Sequence, residues 1–123
     1  MKETILTTKE VAARFIELVR QDKFYETQTQ LYADNCVSVE ANDFLLPKTV
    51  EGLQEILKKS ELFESLVEQV HGRVISDPVI GGDYFTVSWS ADMTFKGRDR
   101  FTMDEICVYK VQEGKIVFEQ FFY

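Results

Sequence analysis

Residues 84–123, YFTVSWSADMTFKGRDRFTMDEICVYKVQEGKIVFEQFFY, decide the fold class of this chain. Apolar and polar side chains alternate along most of this stretch, and that period of two is typical of β-strands. The alternation stops at Lys96 with Gly97 and again at Glu113 with Gly114, which are strong turn signals. We therefore predict strands over residues 84–95, 101–111 and 116–123, joined as an antiparallel meander.

Upstream of this meander, a fourth strand is predicted over residues 67–76, and the earlier sequence has mainly helical spacing. Thr7 followed by Glu10 has the form of a capping box, so the first helix begins there. A short second helix follows near residues 24–32, then a strand over 36–41. A third helix is predicted to be capped by Thr49, with an apolar stripe at Leu53, Ile56, Leu57 and Leu62 or Phe63.

This order of elements predicts a single α+β domain over residues 1–123. Three N-terminal helices pack on one face of a strongly curved, mainly antiparallel sheet. Strands of ten to twelve residues bend at bulges, and a bent sheet wrapped around a helix forms a cone with an internal pocket.

The composition excludes several classes of protein. With 14 basic and 21 acidic residues among 123, the net charge is −7, which argues against binding to nucleic acid or anionic membranes. No apolar run approaches the roughly 20 residues that span a bilayer. Residues 1–8 have no apolar core of a secretory signal, so we expect a cytoplasmic location and buried thiols at Cys36 and Cys107. A single His and two distant Cys predict no metal site, and no cofactor motif is present.

The inward face of the meander carries two carboxylates. In residues 84–95 the apolar set is Phe85, Val87, Trp89, Ala91, Met93 and Phe95, and this set faces the core. Pairing Phe95 with Phe101 and Cys107 with Glu119 then places Glu105 and Glu119 inside as well. A slip of one residue would move both to the outer face.

The opposite face of the last two strands is also apolar. It carries Ile106, Val108, Ile116, Phe118 and Phe122, a set too apolar to be left in water. We therefore expect a homodimer formed through the outer face of the sheet.

Three segments, ARFIELV at 13–19, LYAD at 31–34 and Val39 with Glu40, resemble the N-terminal half of ketosteroid isomerases. VYKV at 108–111 with Gly114, Lys115 and Ile116 is similar to the final hairpin of the wider SnoaL-like group. The resemblance implies that superfamily's cone-shaped α+β fold, also called the nuclear transport factor 2-like fold, which supports isomerases, cyclases, hydrolases and noncatalytic binders.

The resemblance also implies positions for a site. The general base of the isomerases falls on Glu40, counted without a gap from Leu31. Their oxyanion-hole tyrosine falls on Phe15, which donates no hydrogen bond. Their protonated aspartate falls near Cys107, where Glu105 is placed to replace it in part. The same resemblance puts Glu119 and Tyr123 on the pocket-facing side of the last strand.

We therefore predict catalytic roles for Glu40, Glu105 and Glu119, because carboxylates that share a cavity have raised pKa values and can exchange protons. The predicted ligand-binding residues are Phe15, Trp89, Met103, Cys107, Tyr109, Phe121 and Tyr123. Alternatively, the glutamates reach solvent or pair with Arg73, Arg98 or Arg100. A dyad of His71 with Cys107 is a further, less favoured alternative.

The predicted function is binding of a small apolar or aromatic carbonyl compound, with cofactor-free acid/base chemistry of the isomerase, cyclase or hydratase type. The competing prediction is a noncatalytic ligand-binding or dimerisation module. The two differ in whether Glu105 and Glu119 face a pocket or solvent.

Overall fold

A computed structural model describes residues 5–123, and Met1 to Thr4 of the segment considered for a secretory signal lie outside the described residues. The elements, in chain order, are α1 (Thr8–Val19), α2 (Phe24–Leu31), β1 (Tyr32–Val39), β2 (Thr49–Glu51), α3 (Leu53–Leu66), β3 (Val67–Ile75), β4 (Val79–Gly81), β5 (Tyr84–Phe95), β6 (Arg100–Gln112) and β7 (Lys115–Phe122). The predicted α+β class is confirmed: three helices pack on a curved, mostly antiparallel sheet.

Helix α1 begins where the capping box predicts. The Thr7 side chain accepts a hydrogen bond from the Glu10 amide, and the Glu10 carboxylate accepts one from the Thr7 amide. The start of α3 differs from the prediction, because Thr49 belongs to the short strand β2 and the capping position is Gly52, at φ 93°. Edge strand β4, which pairs with β5, lies between the strands predicted over residues 67–76 and 84–95 and was not predicted.

The sheet has the strand order β2-β1-β7-β6-β5-β3. All of its pairings are antiparallel except β1 with β7, which run parallel and bring the first strand beside the last one. The strands β5, β6 and β7 form the predicted meander.

The pairing register within the meander differs from the prediction by two residues. Met93 pairs with Phe101 and Trp89 with Glu105, while Tyr109, rather than Cys107, pairs with Glu119. Because side chains alternate with a period of two, this shift keeps every predicted inward residue on the inner face.

The predicted outward orientation of Ile116 is wrong. Ile116 is fully buried in the core, although Glu119, at an odd spacing from it, also faces inward. A β-bulge explains both positions, because the pairing jumps from Val111 with Ile116 to Lys110 with Phe118 and so inserts one extra residue in β7.

The main core lies between α1 and the inner face of the sheet. The ring of Phe15 is 4.6 Å from that of Tyr109 and 5.4 Å from that of Phe85, measured between centroids. Cys36 and Cys107 are buried free thiols, as predicted. Among residues 5–123 no helix is long and apolar enough to cross a membrane, and the cytoplasmic location stays a prediction.

Candidate functional site

A cavity of about 420 Å³ opens between the helices and the inner face of the sheet. This volume lies in the range of pockets that hold small organic ligands. Most of its wall is apolar or aromatic, with side chains from all three helices. The lining residues include Phe15, Val19, Phe24, Tyr32, Leu46, Phe63, Val67, Trp89, Met93, Met103, Tyr109 and Phe121. Buried and half-buried charged groups lie on two parts of this wall, and Thr27, Gln28, Ser60 and the exposed Glu64 also line it.

The first polar part is organised around Glu119 of β7. The parallel pairing of β1 with β7 sets Ser38 directly beside it, and the Ser38 hydroxyl donates to Glu119 Oε2 at 2.5 Å. The Tyr32 hydroxyl donates a short hydrogen bond to the other carboxylate oxygen. Glu119 is buried, so both of its oxygens are satisfied by protein hydroxyls rather than by water.

Lys59 of α3 joins a second carboxylate to this group. Its ammonium donates to Ser38 Oγ at 2.5 Å and to Glu40 Oε2 at 3.1 Å. The Lys59 and Glu40 side chains are only 7% and 10% exposed, so the ion pair is buried. Tyr32, Glu119, Ser38, Lys59 and Glu40 thus form one continuous hydrogen-bonded chain, called here the polar cluster.

Glu105 of β6 faces the polar cluster. Burial, and then the nearby charge of Glu40, raise the pKa of Glu105 from 4.5 to about 7, while a thiol hydrogen bond from Cys107 at 3.5 Å opposes the rise. This carboxyl therefore populates both its protonated and its ionised form near neutral pH.

Burial raises the pKa values of four further groups in and behind the cavity wall, namely Glu119, Tyr32, Tyr109 and Cys107. Burial also raises the pKa of Glu119, against the opposing effects of Lys59 and of the two hydroxyls. Burial and the charge of Glu119 raise the pKa of Tyr32 well above 10, and burial raises that of Tyr109 in the same direction. The thiol pKa of Cys107 is raised too, chiefly by burial, so it is a poor nucleophile.

The second polar part is Arg73 of β3, on the other side of the cavity. Its guanidinium lies 4.8 Å from the ring centroid of Phe24 and 5.9 Å from that of Trp89, and it pairs with Asp22 in the turn after α1. The Phe24 and Trp89 rings are themselves 5.9 Å apart. This wall is therefore aromatic with one fixed positive charge.

The structure brings most of the predicted site residues together around this cavity. Glu40, Glu105 and Glu119 all line it, as do Phe15, Trp89, Met103, Tyr109 and Phe121. Two predicted ligand-binding residues do not. Cys107 is fully buried behind the wall, where it contacts Glu105, and Tyr123 is 52% exposed at the end of β7.

The alternatives for the glutamates and for His71 are not seen. Arg73 pairs with Asp22 and Arg100 with Asp92, while Arg98 lies over the Phe44 ring. His71 is exposed and hydrogen-bonded to Thr94, whereas Cys107 is fully buried, so these two do not form a dyad. Within residues 5–123 there is no group of three His, Cys, Asp or Glu arranged to hold a metal ion.

The sequence reasoning missed Tyr32, Ser38 and Lys59. One signal for Lys59 was available, because it lies three residues after Ile56 and four before Phe63, within the apolar stripe of α3. A lysine at such a position is buried only when it has a partner. The partner itself, Glu40, lies in the loop after β1 and is not identified by periodicity.

A curved sheet covered by three helices, with a polar cluster in the wall of an apolar cavity, defines the cone-shaped α+β class. The SnoaL-like domain family matches residues 6–123, so the chain belongs to the SnoaL-like family. A comparison with curated proteins finds no match.

Solved structures support the same assignment. A protein from Mesorhizobium loti, named as a proposed SnoaL-like polyketide cyclase with carbohydrate phosphatase in brackets, is 32% identical with a TM-score of 0.89. The alignment covers 96% of this chain and 100% of that one. An NTF2-like protein from Burkholderia thailandensis is 16% identical, with a TM-score of 0.82 and coverage of 96% and 91%. TerC, co-crystallized with polyporic acid, is 13% identical, with a TM-score of 0.76 and coverage of 94% and 90%. The last two show the fold alone.

Proposed function

We propose that this protein binds a small apolar or aromatic carbonyl compound and catalyses cofactor-free proton transfer on it. The observation that carries the proposal is the cavity itself, whose apolar walls carry three buried or half-buried carboxylates, Glu40, Glu105 and Glu119, and one buried ammonium. Apolar walls supply binding energy for a flat hydrophobic body, and the few polar groups fix its orientation. The substrate carbonyl would lie against the polar cluster and Glu105.

In this proposal Glu105 is the group that moves the proton. A carboxyl with a pKa of about 7 can take a proton from the carbon next to a carbonyl and return it elsewhere on the molecule. Such a transfer leaves an enolate oxygen that needs stabilisation. The Lys59 ammonium lines the same cavity and supplies it, while Ser38 and Glu40 hold the ammonium in place. Isomerisation, cyclisation and hydration share this step.

The Mesorhizobium loti relative supports this choice of substrate. Its name gives a proposed polyketide cyclase, and polyketides are compounds rich in ketone carbonyls. The fold also accommodates an aromatic ligand in at least one distant neighbour, TerC with polyporic acid.

The competing proposal is a noncatalytic ligand-binding or dimerisation module. It is favoured by the polar cluster, in which Glu40 and Glu119 are already paired or hydrogen-bonded. In that case the cluster would only stabilise the fold, and Glu105 would have no proton to move.

A ligand screen separates the two proposals. Cyclic and aromatic ketones are tested by thermal shift against the wild type and Glu105→Gln, with Glu61→Gln on the exposed side of α3 as the matched control. Turnover of each hit is followed by ultraviolet absorbance from pH 5 to 9. We expect Glu105→Gln to bind the hits but to lose at least about a hundredfold in kcat. The wild-type rate should titrate near pH 7, and Glu61→Gln should behave as wild type. Ligands that bind but are never turned over would favour the module.

We also propose a homodimer formed through the outer face of the sheet. Ile106 and Phe122 pair across β6 and β7, and they are 47% and 49% exposed. With the half-buried Val108 and Phe118 they form an apolar patch, and covering it would remove that surface from water. Ile116, which is buried in the core, does not belong to this patch.

A further inference from the structure

Arg73 is a charged group in the cavity wall that the proposed proton transfer does not use. Its side chain is 17% exposed, and its guanidinium is held against the faces of Phe24 and Trp89. Stacking of this kind fixes the plane of an arginine, so that its N–H groups point in set directions before a ligand arrives.

The hydrogen bond from Arg73 to Asp22 uses only one of the N–H donors of the guanidinium. A guanidinium has five N–H donors, and the hydrogen bond seen among residues 5–123 runs from Nη1 to Asp22. Asp22 is 72% exposed, so water and salt screen its attraction for Arg73. A half-buried arginine that lines a cavity and whose only described ion pair is with an exposed carboxylate can accept a second anion.

The strand order places Arg73 away from Glu40, Glu105 and Glu119. Arg73 pairs with Ala91 across β3 and β5, Ala91 pairs with Met103 across β5 and β6, and Glu105 lies two residues further along β6. Two strand spacings and two residues separate the Cα atoms of Arg73 and Glu105 by about 12 Å. Glu119 and Glu40 are one and two strands further away. The buried and half-buried carboxylates of the cavity therefore lie away from Arg73, and the remaining lining carboxylate, Glu64 of α3, is exposed to solvent.

We propose that Arg73 is a specificity-determining residue that binds a carboxylate on the ligand, so that the ligands of this protein are aromatic or apolar keto acids rather than neutral ketones. This inference rests on the proposed function, because it orients the same ligand in the same cavity. The carboxylate pairs with the free N–H groups of Arg73, the ring lies along Trp89 and Phe24, and the ketone reaches Glu105. The carboxylates on the far side disfavour the reversed orientation, since they repel the acid group.

A matched pair of probes tests the inference. The acid 6-acetyl-2-naphthoate and its neutral amide, 6-acetyl-2-naphthamide, differ mainly in the charged group. Their Kd values are measured by isothermal titration calorimetry at pH 7.5 on the wild type and on Arg73→Met, Arg73→Lys, Asp22→Asn and Arg100→Met. Arg100 is the control, because it also pairs with an aspartate, Asp92, but is exposed and does not line the cavity.

We expect the wild type to bind the acid at least tenfold more tightly than the amide. Arg73→Met should abolish this preference and leave the Kd of the amide within about twofold. Arg73→Lys should retain part of it, because lysine keeps the charge but not the planar fork. Asp22→Asn should retain or increase the preference, since a competing carboxylate is removed, and Arg100→Met should leave it unchanged.

Three results would overturn the inference, and they have different meanings. Equal affinity of the wild type for acid and amide would show that the cavity binds the aromatic ketone without recognising the carboxylate. The proposed function would then stand. A Kd that rises equally for both probes in Arg73→Met, with a lowered melting temperature, would assign Arg73 a structural role only. Binding of neither probe by the wild type would contradict the proposed function and the inference together.

Discussion

Replacing Glu105 with glutamine should make the protein more stable at alkaline pH. In the unfolded chain this carboxyl ionises with a pKa near 4.5, whereas in the folded protein burial and Glu40 raise the pKa to about 7. Below pH 4.5 the side chain is protonated in both states. As pH rises from 4.5 to 7, the unfolded chain releases its proton while the folded protein keeps it, so the folded state loses stability. This contribution of Glu105 is fully present below pH 4.5 and is lost above pH 7.

The size of the effect follows from the two pKa values. Each pH unit between them corresponds to about 1.4 kcal/mol, so the whole interval gives about 3 kcal/mol. A glutamine has no proton to release. The stability of Glu105→Gln relative to wild type should therefore rise from near zero at pH 4.5 to about 3 kcal/mol at pH 8.

Urea denaturation of both proteins at half-unit steps from pH 4.5 to 8.5 measures this difference, and other titrating groups largely cancel in it. Glu61→Gln on the exposed side of α3 is the control, and its stability should stay within about 0.5 kcal/mol of wild type throughout. The midpoint of the Glu105 carboxyl carbon resonance, followed by NMR, should fall near pH 7. A stability difference that does not change with pH, together with an NMR midpoint near 4.5, would refute the placement of Glu105 beside Glu40 in a buried wall.

Three further predictions concern the buried pair, the core and the outer face. Lys59→Met leaves Glu40 and Glu119 without their cation and should lower the free energy of unfolding by about 3–5 kcal/mol. The double variant Lys59→Met/Glu40→Gln should recover part of this loss. Equal urea midpoints for wild type and Lys59→Met would contradict the prediction. Phe15→Ala removes the ring that packs against both Phe85 and Tyr109, and it should cost about 3–5 kcal/mol by the same measurement. A loss below about 1 kcal/mol would mean that Phe15 is not packed there. Light scattering after size exclusion should give the wild type twice the 14.3 kDa mass of the chain, and Ile106→Asp the mass of a single chain. The control Gln54→Asp, at an exposed position of α3 away from the sheet's outer face, should stay dimeric. A wild type of 14.3 kDa would rule the dimer out.

Much of the fold can be predicted from the sequence, because the patterns that indicate helices and strands lie within short segments. The capping box at Thr7 and the alternation over residues 84–95 predict a helix start and a strand at the positions observed. The inward orientation of Glu105 and Glu119 also survives a register shift of two residues, since such a shift preserves the face.

The missed features depend on contacts between distant segments. The bulge in β7 that buries Ile116 follows from packing against the core and leaves no signature in the alternation. Lys59 looks like a surface lysine until β1 brings Ser38 and Glu40 beside it. The role of Tyr32 was missed for the same reason, because its hydroxyl donates to Glu119, which lies 87 residues later in the chain. Pairing of side chains across the sheet is a property of the tertiary structure, and periodicity along one segment does not contain it.

The parallel contact between β1 and β7 has a consequence for how the protein folds. Ser38 and Glu119 are 81 residues apart in sequence, and closing so large a loop costs chain entropy before the hydrogen bonds are gained. Contacts of long sequence separation slow folding, so we expect docking of β7 against β1 to be a late step. Until then Tyr32 and Ser38 have no acceptor in Glu119, and the cavity lacks the part of its wall that Glu119 and Phe121 form. On the ribosome, the helices and β1 emerge first, and the cavity of this protein can be completed only after β7 has been synthesised.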